Sequence, residues 1–344
     1  MVAALAPSPR PSLFTVAFPE VLSDVHHRAA LAYPDQVLPL ARLRATDAGT
    51  IEVPGVGALA LSEWSRSQIG RLLGLRWARW FDPALCAPAE QAEEINRRLS
   101  RHPAEVKIRA RRYASGEVGV GDGILRAFVG PGYTPIDDVR VFARLARVLG
   151  PRTDSFSFVR ETLTDRTSVY VAVSPDDIDL SGNGHPDLHR HGFAIVNSEV
   201  GARALGIVEY LYRLICSNGL AIVEKSRRLF YRVHRRTEDE SIDRDLAYAI
   251  ALLPERWSAS ADAMRAARHH LVEEPEQTLR SILAGDPDAR PHTEAVLAAY
   301  RKEPESTRFG LVQAITRAAQ EVGAEDRLAL ETLAGSFVTA AIAA

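Results

Sequence analysis

From Glu238 to the C-terminus the apolar residues recur with helical spacing, near 241–253, 258–273, 275–285, 290–302, 309–322 and 325–343. Pro254, Pro275, Pro287, Pro291 and Pro304 punctuate the run. A helix-period pattern does not settle into strands, so any sheet must come from earlier residues. There the period is mostly two. VKIRARRY (106–113) alternates, SGEVGVGDG supplies turn residues, and ILRAFVG (124–130) follows, which predicts a long hairpin. FSFVRETL and TSVYVAV predict two strands joined by Thr164–Arg166, and GFAIVNS another. LAIVEKS and RLFYRVHRR read as a final strand pair.

Helices are expected between these strands. SEWSRSQIGRLLGL has Ser62 as N-cap, and Pro88–Ser100 places acids early and arginines late. In 136–150, Val139, Phe142, Leu145, Ala146 and Leu149 share one face, and Gly150-Pro151 stops the helix. The segment 198–219 reads as a helix capped by Ser198 and closed by Asn218-Gly219. Residues 1–60 are Pro- and Gly-rich, with short strands at Gln36–Leu40 and Thr50–Val53. The fold class is therefore α+β: an antiparallel sheet with packed helices, followed by an all-helical C-terminal part. The domain reading is an N-terminal segment over 1–60, a basic core over 61–236 and an acidic helical region over 237–344.

Charge divides along the same boundaries. Residues 1–100 carry no net charge, 101–236 carry +6 and 237–344 carry −8, which sum to the −2 of the whole chain. A basic block points toward a polyanion, and the acidic block offers it an internal competitor. The opening MVAALAPSPRPSLF is too short and Pro-broken for a signal peptide, and no run reaches the ~18 apolar residues of a membrane span. Cys86 and Cys216 match no metal or redox spacing. These features predict a cytoplasmic protein without a membrane partner.

Two stretches hold candidate site residues. Lys107, Arg109 and Arg111 share a strand face by period two, with Arg112 and Tyr113 beside them. EKSRRLFYRVHRR (224–236) adds Lys225, Arg227, Arg228, Arg232, Arg235 and Arg236, with Phe230 and Tyr231 among them. There Arg228, Phe230, Arg232 and His234 would form one face. Cations pair with phosphates and rings stack on bases, so both stretches suit single-stranded nucleic acid. The second candidate is HPDLHRHG, where His185, Asp187, His189 and His191 are metal-ligand types at close spacing. It offers a metal-dependent hydrolase or nuclease as the alternative, although Arg190 would repel a cation; at lower pH these histidines would add positive charge. No nucleophile signature or P-loop is present, so the chain reads as a binding protein rather than an enzyme, with no cofactor. VGVGDG (118–123) fits a turn, and NSEVG (197–201) fits a helix cap.

ILRAFVGPGYTPIDDVRVFARL (124–145), GFAIVNSEVGARALGIVEYLYRLICSNGLAI (192–222), ESTRFGLVQAITRAAQ (305–320) and RLALETLAG (327–335) together resemble the phage- and plasmid-like family of domain of unknown function 932. ALSEWSRSQIGRLLGL (60–75) is similar to that family's helix before the core. The resemblance covers roughly 60–340 and implies a mobile-element role in DNA replication, recombination or defence. The order of hairpin, helix and strands is also similar to phage single-strand annealing proteins, which work as rings or filaments. The expectation is thus a nucleic-acid-binding protein, with single-stranded DNA as its partner, that self-associates as a homo-oligomer. An assembly module whose basic strands dock on the acidic part of a neighbouring copy is the third reading.

Overall fold

In chain order the elements are β1 (Val16–Ala17), α1 (Phe18–Ala30), β2 (Gln36–Pro39), β3 (Arg44–Ala45), β4 (Thr50–Val53), β5 (Gly57–Leu61), α2 (Glu63–Leu72), α3 (Pro88–Leu99), β6 (Glu105–Arg111), β7 (Gly123–Val129), α4 (Asp138–Leu149), β8 (Ser157–Leu163), β9 (Ser168–Asp179), β10 (Leu188–Asn197), β11 (Leu205–Arg213), β12 (Gly219–Ile222), β13 (Phe230–Arg232), α5 (Asp239–His269), α6 (Pro275–Ala284), α7 (Thr293–Lys302), α8 (Arg308–Ala318) and α9 (Ala324–Thr339). This computed structural model describes residues 15–75, 86–181, 186–214, 219–222, 230–234 and 239–339. Among the described residues the strands form two sheets. The first has the order β2-β6-β7-β5-β4-β3, with β5 and β7 parallel. The second runs β1-β8-β9-β10-β11-β12, with β13 also paired to β11.

The first sheet buries Leu59, Ile108 and Leu125 against Ile69 of α2 and Ile95 and Leu99 of α3. Four of its strands come from residues 36–61. The second sheet packs Tyr170, Phe193 and Ile207 against Val25 of α1, Phe142 and Leu145 of α4 and Leu246 of α5. Its other face holds Val171, Val173, Ala194 and Tyr210 and meets Leu328 of α9. Helices α5 to α9 share a further apolar cluster around Leu279, Leu297, Phe309 and Leu330. Antiparallel sheets with packed helices, then an all-helical C-terminal region, are what the change of period predicted. Among the described residues no helix is long and apolar enough to cross a membrane.

Local chemistry explains the elements that frame the site. In α2 the Ser62 side chain accepts from the Ser65 backbone N–H, the cap read from the sequence. Helix α4 buries Val141, Phe142, Leu145 and Leu149, one face of a 3.6-residue repeat. It stops at Gly150, whose φ of 54° favours glycine, and Pro151 follows. The β6–β7 hairpin forms with Lys107 opposite Val129 and Arg109 opposite Ala127, and a bulge follows Arg109.

Three expectations are corrected. The segment 198–219 is not a helix: Leu205–Arg213 is strand β11, antiparallel to β10 with Phe193 opposite Glu209. Both faces of β11 are covered, since Tyr210 and Leu211 are equally buried. A strand covered on both sides loses its alternation and imitates a buried helix. Ser198 instead accepts from the Ala202 N–H in a turn, at 2.9 Å. Among the described residues, strands β12 and β13 each pair with a different part of β11 rather than with each other. Finally, Pro254 lies inside α5 rather than ending it. One missing backbone hydrogen bond is tolerated because α5 is held along its length by packing against the second sheet.

Candidate functional site

The two sheets are joined through a line of polar side chains. Arg126 on β7 donates to Glu199 Oε2 at 2.6 Å, and the Asp138 N–H donates to Glu199 Oε1 at 3.0 Å. Asp138 Oδ1 accepts from Asn197 Nδ2 at 2.7 Å and Ser168 Oγ at 3.0 Å. Its Oδ2 accepts from the Tyr170 hydroxyl at 2.9 Å, and that hydroxyl accepts from Arg28 of α1 at 2.5 Å. Burial lifts the Asp138 carboxyl to about 6, helped by the Glu199 charge and opposed by these three donors. Burial works most strongly against ionised Glu199, but Arg126, the Asp138 N–H and Arg109 together outweigh it and hold that carboxyl below its usual value.

Over this floor opens a cleft of about 850 Å³, between the loop joining β6 to β7 and the turn joining β8 to β9. That volume is within the roughly 300–1,000 Å³ of ligand clefts. Arg28, Arg111, Arg126 and Arg166 line it together with Tyr113, and so do Glu63, Glu117, Asp165 and Glu199. The cations fall into two kinds. Arg111 pairs bidentately with Glu117 at 2.6 and 2.8 Å, and Arg166 with Glu325 of α9, with Nε to Oε1 at 2.5 Å. Both pairs are partly exposed, Arg111 28% with Glu117 33%, and Arg166 42% with Glu325 22%. The hydrogen bonds from Arg111 pull the Glu117 carboxyl down to about 2. Arg166 also lies 5.6 Å from the centre of the Trp64 ring, with Arg71 at 5.4 Å from the same ring. Asp165 accepts from the Trp64 N–H at 2.5 Å, which fixes the β8–β9 turn on the start of α2.

Arg109 is of the other kind. Its side chain is 7% exposed and donates to Asp137 at 2.8 Å, Asp35 at 3.2 Å and the Glu199 carbonyl at 2.5 Å. Lys107 donates to the Tyr133 carbonyl. The shared face of Lys107 and Arg109 is real, but the segments around 133–137 and 199 cover it. This corrects the reading of Arg109 as a phosphate contact: its charge is used inside the fold. Arg111 stays on the cleft, exposed Arg112 lies 4.5 Å over the Tyr33 ring, and the Tyr113 hydroxyl donates to the Val120 carbonyl at 2.9 Å.

The second basic stretch is also corrected. Phe230 is 4% and His234 3% exposed, so these two members of the proposed face turn into the core. His234 Nδ1 accepts from the Ile136 N–H at 3.1 Å and its ring stacks on Tyr133, and burial takes it down to about 4. Phe230 therefore cannot stack on a base. Arg232 pairs with Asp245 of α5, and Tyr231 is half exposed. Strand β13 and the 107–113 strand lie in different sheets, so they form no continuous face. Lys225, Arg227, Arg228, Arg235 and Arg236 lie outside the described residues, as do His185 and Cys216.

The histidine stretch holds no metal geometry among the described residues. Asp187 is taken by Arg213 at 2.6 Å and by Arg268. His189 and His191 share a face of β10, as their spacing predicted, but His189 is buried and His191, half-buried, stacks on Trp257. Burial lowers both to about 4, so they stay neutral at pH 6 and add no charge there.

Sequence reasoning missed Arg28, Arg126, Arg166, Trp64 and Glu199. The tip residues Asp165 and Arg166, joining two alternating strands, were the one local signal.

Residues 127–333 match the family described as Domain of unknown function (DUF932). The chain belongs to that family. No curated protein and no solved structure matches the chain. The DUF932 match takes in Asp138, Arg166, Asn197, Glu199 and Glu325. It begins within β7, so Arg111, Tyr113 and the β6–β7 loop are supplied by the chain before it.

Proposed function

We propose that this DUF932 protein binds a nucleic-acid strand, single-stranded DNA foremost, along the cleft between its two sheets, and does so in the cytoplasm. Arg111, Arg112 and Arg166 contact phosphates, and Tyr113 and Trp64 offer rings to bases. The observation that carries the reading is that the Arg111–Glu117 and Arg166–Glu325 pairs at the rim reach solvent, with side chains 22–42% exposed. Exposed ion pairs contribute only about 0–1 kcal/mol, so a phosphate displaces the carboxylate at little cost. A guanidinium takes phosphate bidentately as readily as carboxylate. Released Glu117 and Glu325 remain in water, where their charge is solvated.

Self-association belongs to the same reading, with the acidic C-terminal part of one copy meeting the basic block of another. Size measured across a salt series, without nucleic acid, tests it: a charge-driven assembly shrinks as salt rises. The binding itself is tested with labelled oligonucleotides at several salt concentrations. Binding that weakens with salt, and weakens further in Arg111→Ala/Arg166→Ala, supports it. No binding at low salt defeats it.

A further inference from the structure

The loop joining β6 to β7 forms one wall of the cleft, and its tip is apolar. Val118 is 95% exposed, the most exposed of the large hydrophobic residues described, and Val120 is 54% exposed. An isolated surface valine needs no explanation. Two valines at the tip of a braced loop beside a polar cleft are a different case. Glu117 accepts from the Ala114 N–H at 2.9 Å, a bond within the loop that does not depend on Arg111. The Tyr113 hydroxyl donates to the Val120 carbonyl, and Gly119 lies so close to the Tyr113 ring that a Cβ there would clash. Gly121, at φ 81°, turns the chain back into β7 against the Ala58 carbonyl. The backbone is thus fixed on its inner side while its apolar tip is left in water.

We propose that this tip is a wedge: Val118, supported by Val120, inserts between neighbouring bases of the strand held in the cleft and unstacks them. This rests on the proposed nucleic-acid binding. Apolar side chains inserted at a base step offset the cost of unstacking by leaving water. A braced loop loses little conformational freedom when it inserts, which favours this loop over a mobile one. Arg111, at the base of the same loop, is placed to hold the phosphate next to the opened step. A strand opened in this way presents its bases for pairing or exchange, so the fitting substrate is a strand with exposed stacking, including the junction of single and double strand.

The test uses the full chain and oligonucleotides carrying 2-aminopurine, whose fluorescence rises when it unstacks, as a single strand and as a hairpin with a single-stranded arm. Anisotropy of an end label reports binding in the same samples. The parent protein is expected to bind and to raise the 2-aminopurine signal. Val118→Ser/Val120→Ser, both at exposed positions, is expected to bind with a Kd within about threefold of the parent, a small change in free energy, and to lose the rise. Binding by the parent without any rise overturns the wedge and leaves the binding proposal standing. A variant that keeps the rise overturns it equally. A variant that loses binding as well assigns the valines to affinity and overturns it too. If the parent binds neither oligonucleotide, both proposals fall together.

Discussion

Replacing Arg109 by methionine separates a charge used inside the fold from one offered to a ligand. The substitution removes the bonds to Asp137, Asp35 and the Glu199 carbonyl and leaves two carboxylates without their cation. Breaking a buried pair from one side costs about 3–5 kcal/mol. Asp137 and Asp35 keep some contact with water, 28% and 24% of their side chains, which puts the expected loss at the lower end, about 3 kcal/mol. With a urea m-value of about 3 kcal/mol/M, the midpoint falls by about 1 M. Tryptophan fluorescence during urea unfolding reads this directly. The deficit also depends on pH. Burial already lifts the Asp137 carboxyl, and Arg109 opposes that rise. Without Arg109 the folded value climbs further above the unfolded 3.8, so the variant recovers stability as pH falls and its deficit is largest at neutral pH. Arg109→Met with stability within about 1 kcal/mol of the parent, or with a deficit that grows toward acid pH, refutes the assignment of Arg109 to the fold.

Other outcomes follow from the same geometry. Arg111→Ala and Arg112→Ala should each change stability by no more than about 1 kcal/mol in the same urea assay, because Arg111 pairs with exposed Glu117 and the Arg112 side chain is itself exposed. Glu325→Gln should tighten oligonucleotide binding by up to about fivefold, since it frees Arg166 of a competitor whose pair is worth about 1 kcal/mol or less, and the gain should vanish when Arg166→Ala is added. Glu209, buried on β11, is lifted by burial to about 7, against a hydrogen bond from Ser260. Its folded value lies above the unfolded 4.5, so the stability it contributes is full at acid pH and is lost as pH rises through 7. Glu209→Gln should therefore exceed the parent by on the order of 3 kcal/mol at pH 8 and match it near pH 4.5, read by urea midpoints.

Helix α4 was legible in the sequence because it has one covered side and one wet side. The β6–β7 hairpin and the strands at 157–179 were read from alternation, turn residues and, in β9, a valine-rich run, although β9 is buried on both faces from Ser168 to Val173. β11 was not legible as a strand, because burial on both faces removes the alternation that separates strand from helix. The candidate site was half legible. Arg111, Arg112 and Tyr113 were found on the strand that reaches the cleft, whereas Arg109 one pleat earlier looks identical in sequence and is buried. The bulge between Arg109 and Ala110 marks where that strand passes from the covered segment to the cleft, and no local pattern announces it. Over residues 230–234 the period-two reading separated buried Phe230 and His234 from exposed Tyr231 and Val233, but chose the inner set for the contact surface. Phe230 and His234 point inward because β13 docks on β11 beside Tyr133. Arg126 and Glu199 stand 73 residues apart, and only the meeting of two sheets brings them together.

The claim that the cleft rim binds a strand is tested most directly by anisotropy of a labelled single-stranded oligonucleotide across a salt series, for the parent and for Arg111→Ala/Arg166→Ala. Each phosphate contact on a single strand adds about −0.7 to the slope of log affinity against log salt. The account predicts a linear, negative slope for the parent that becomes shallower by about 1.4 in the double variant. An absence of binding at low salt, or a slope that the two substitutions leave unchanged, contradicts it.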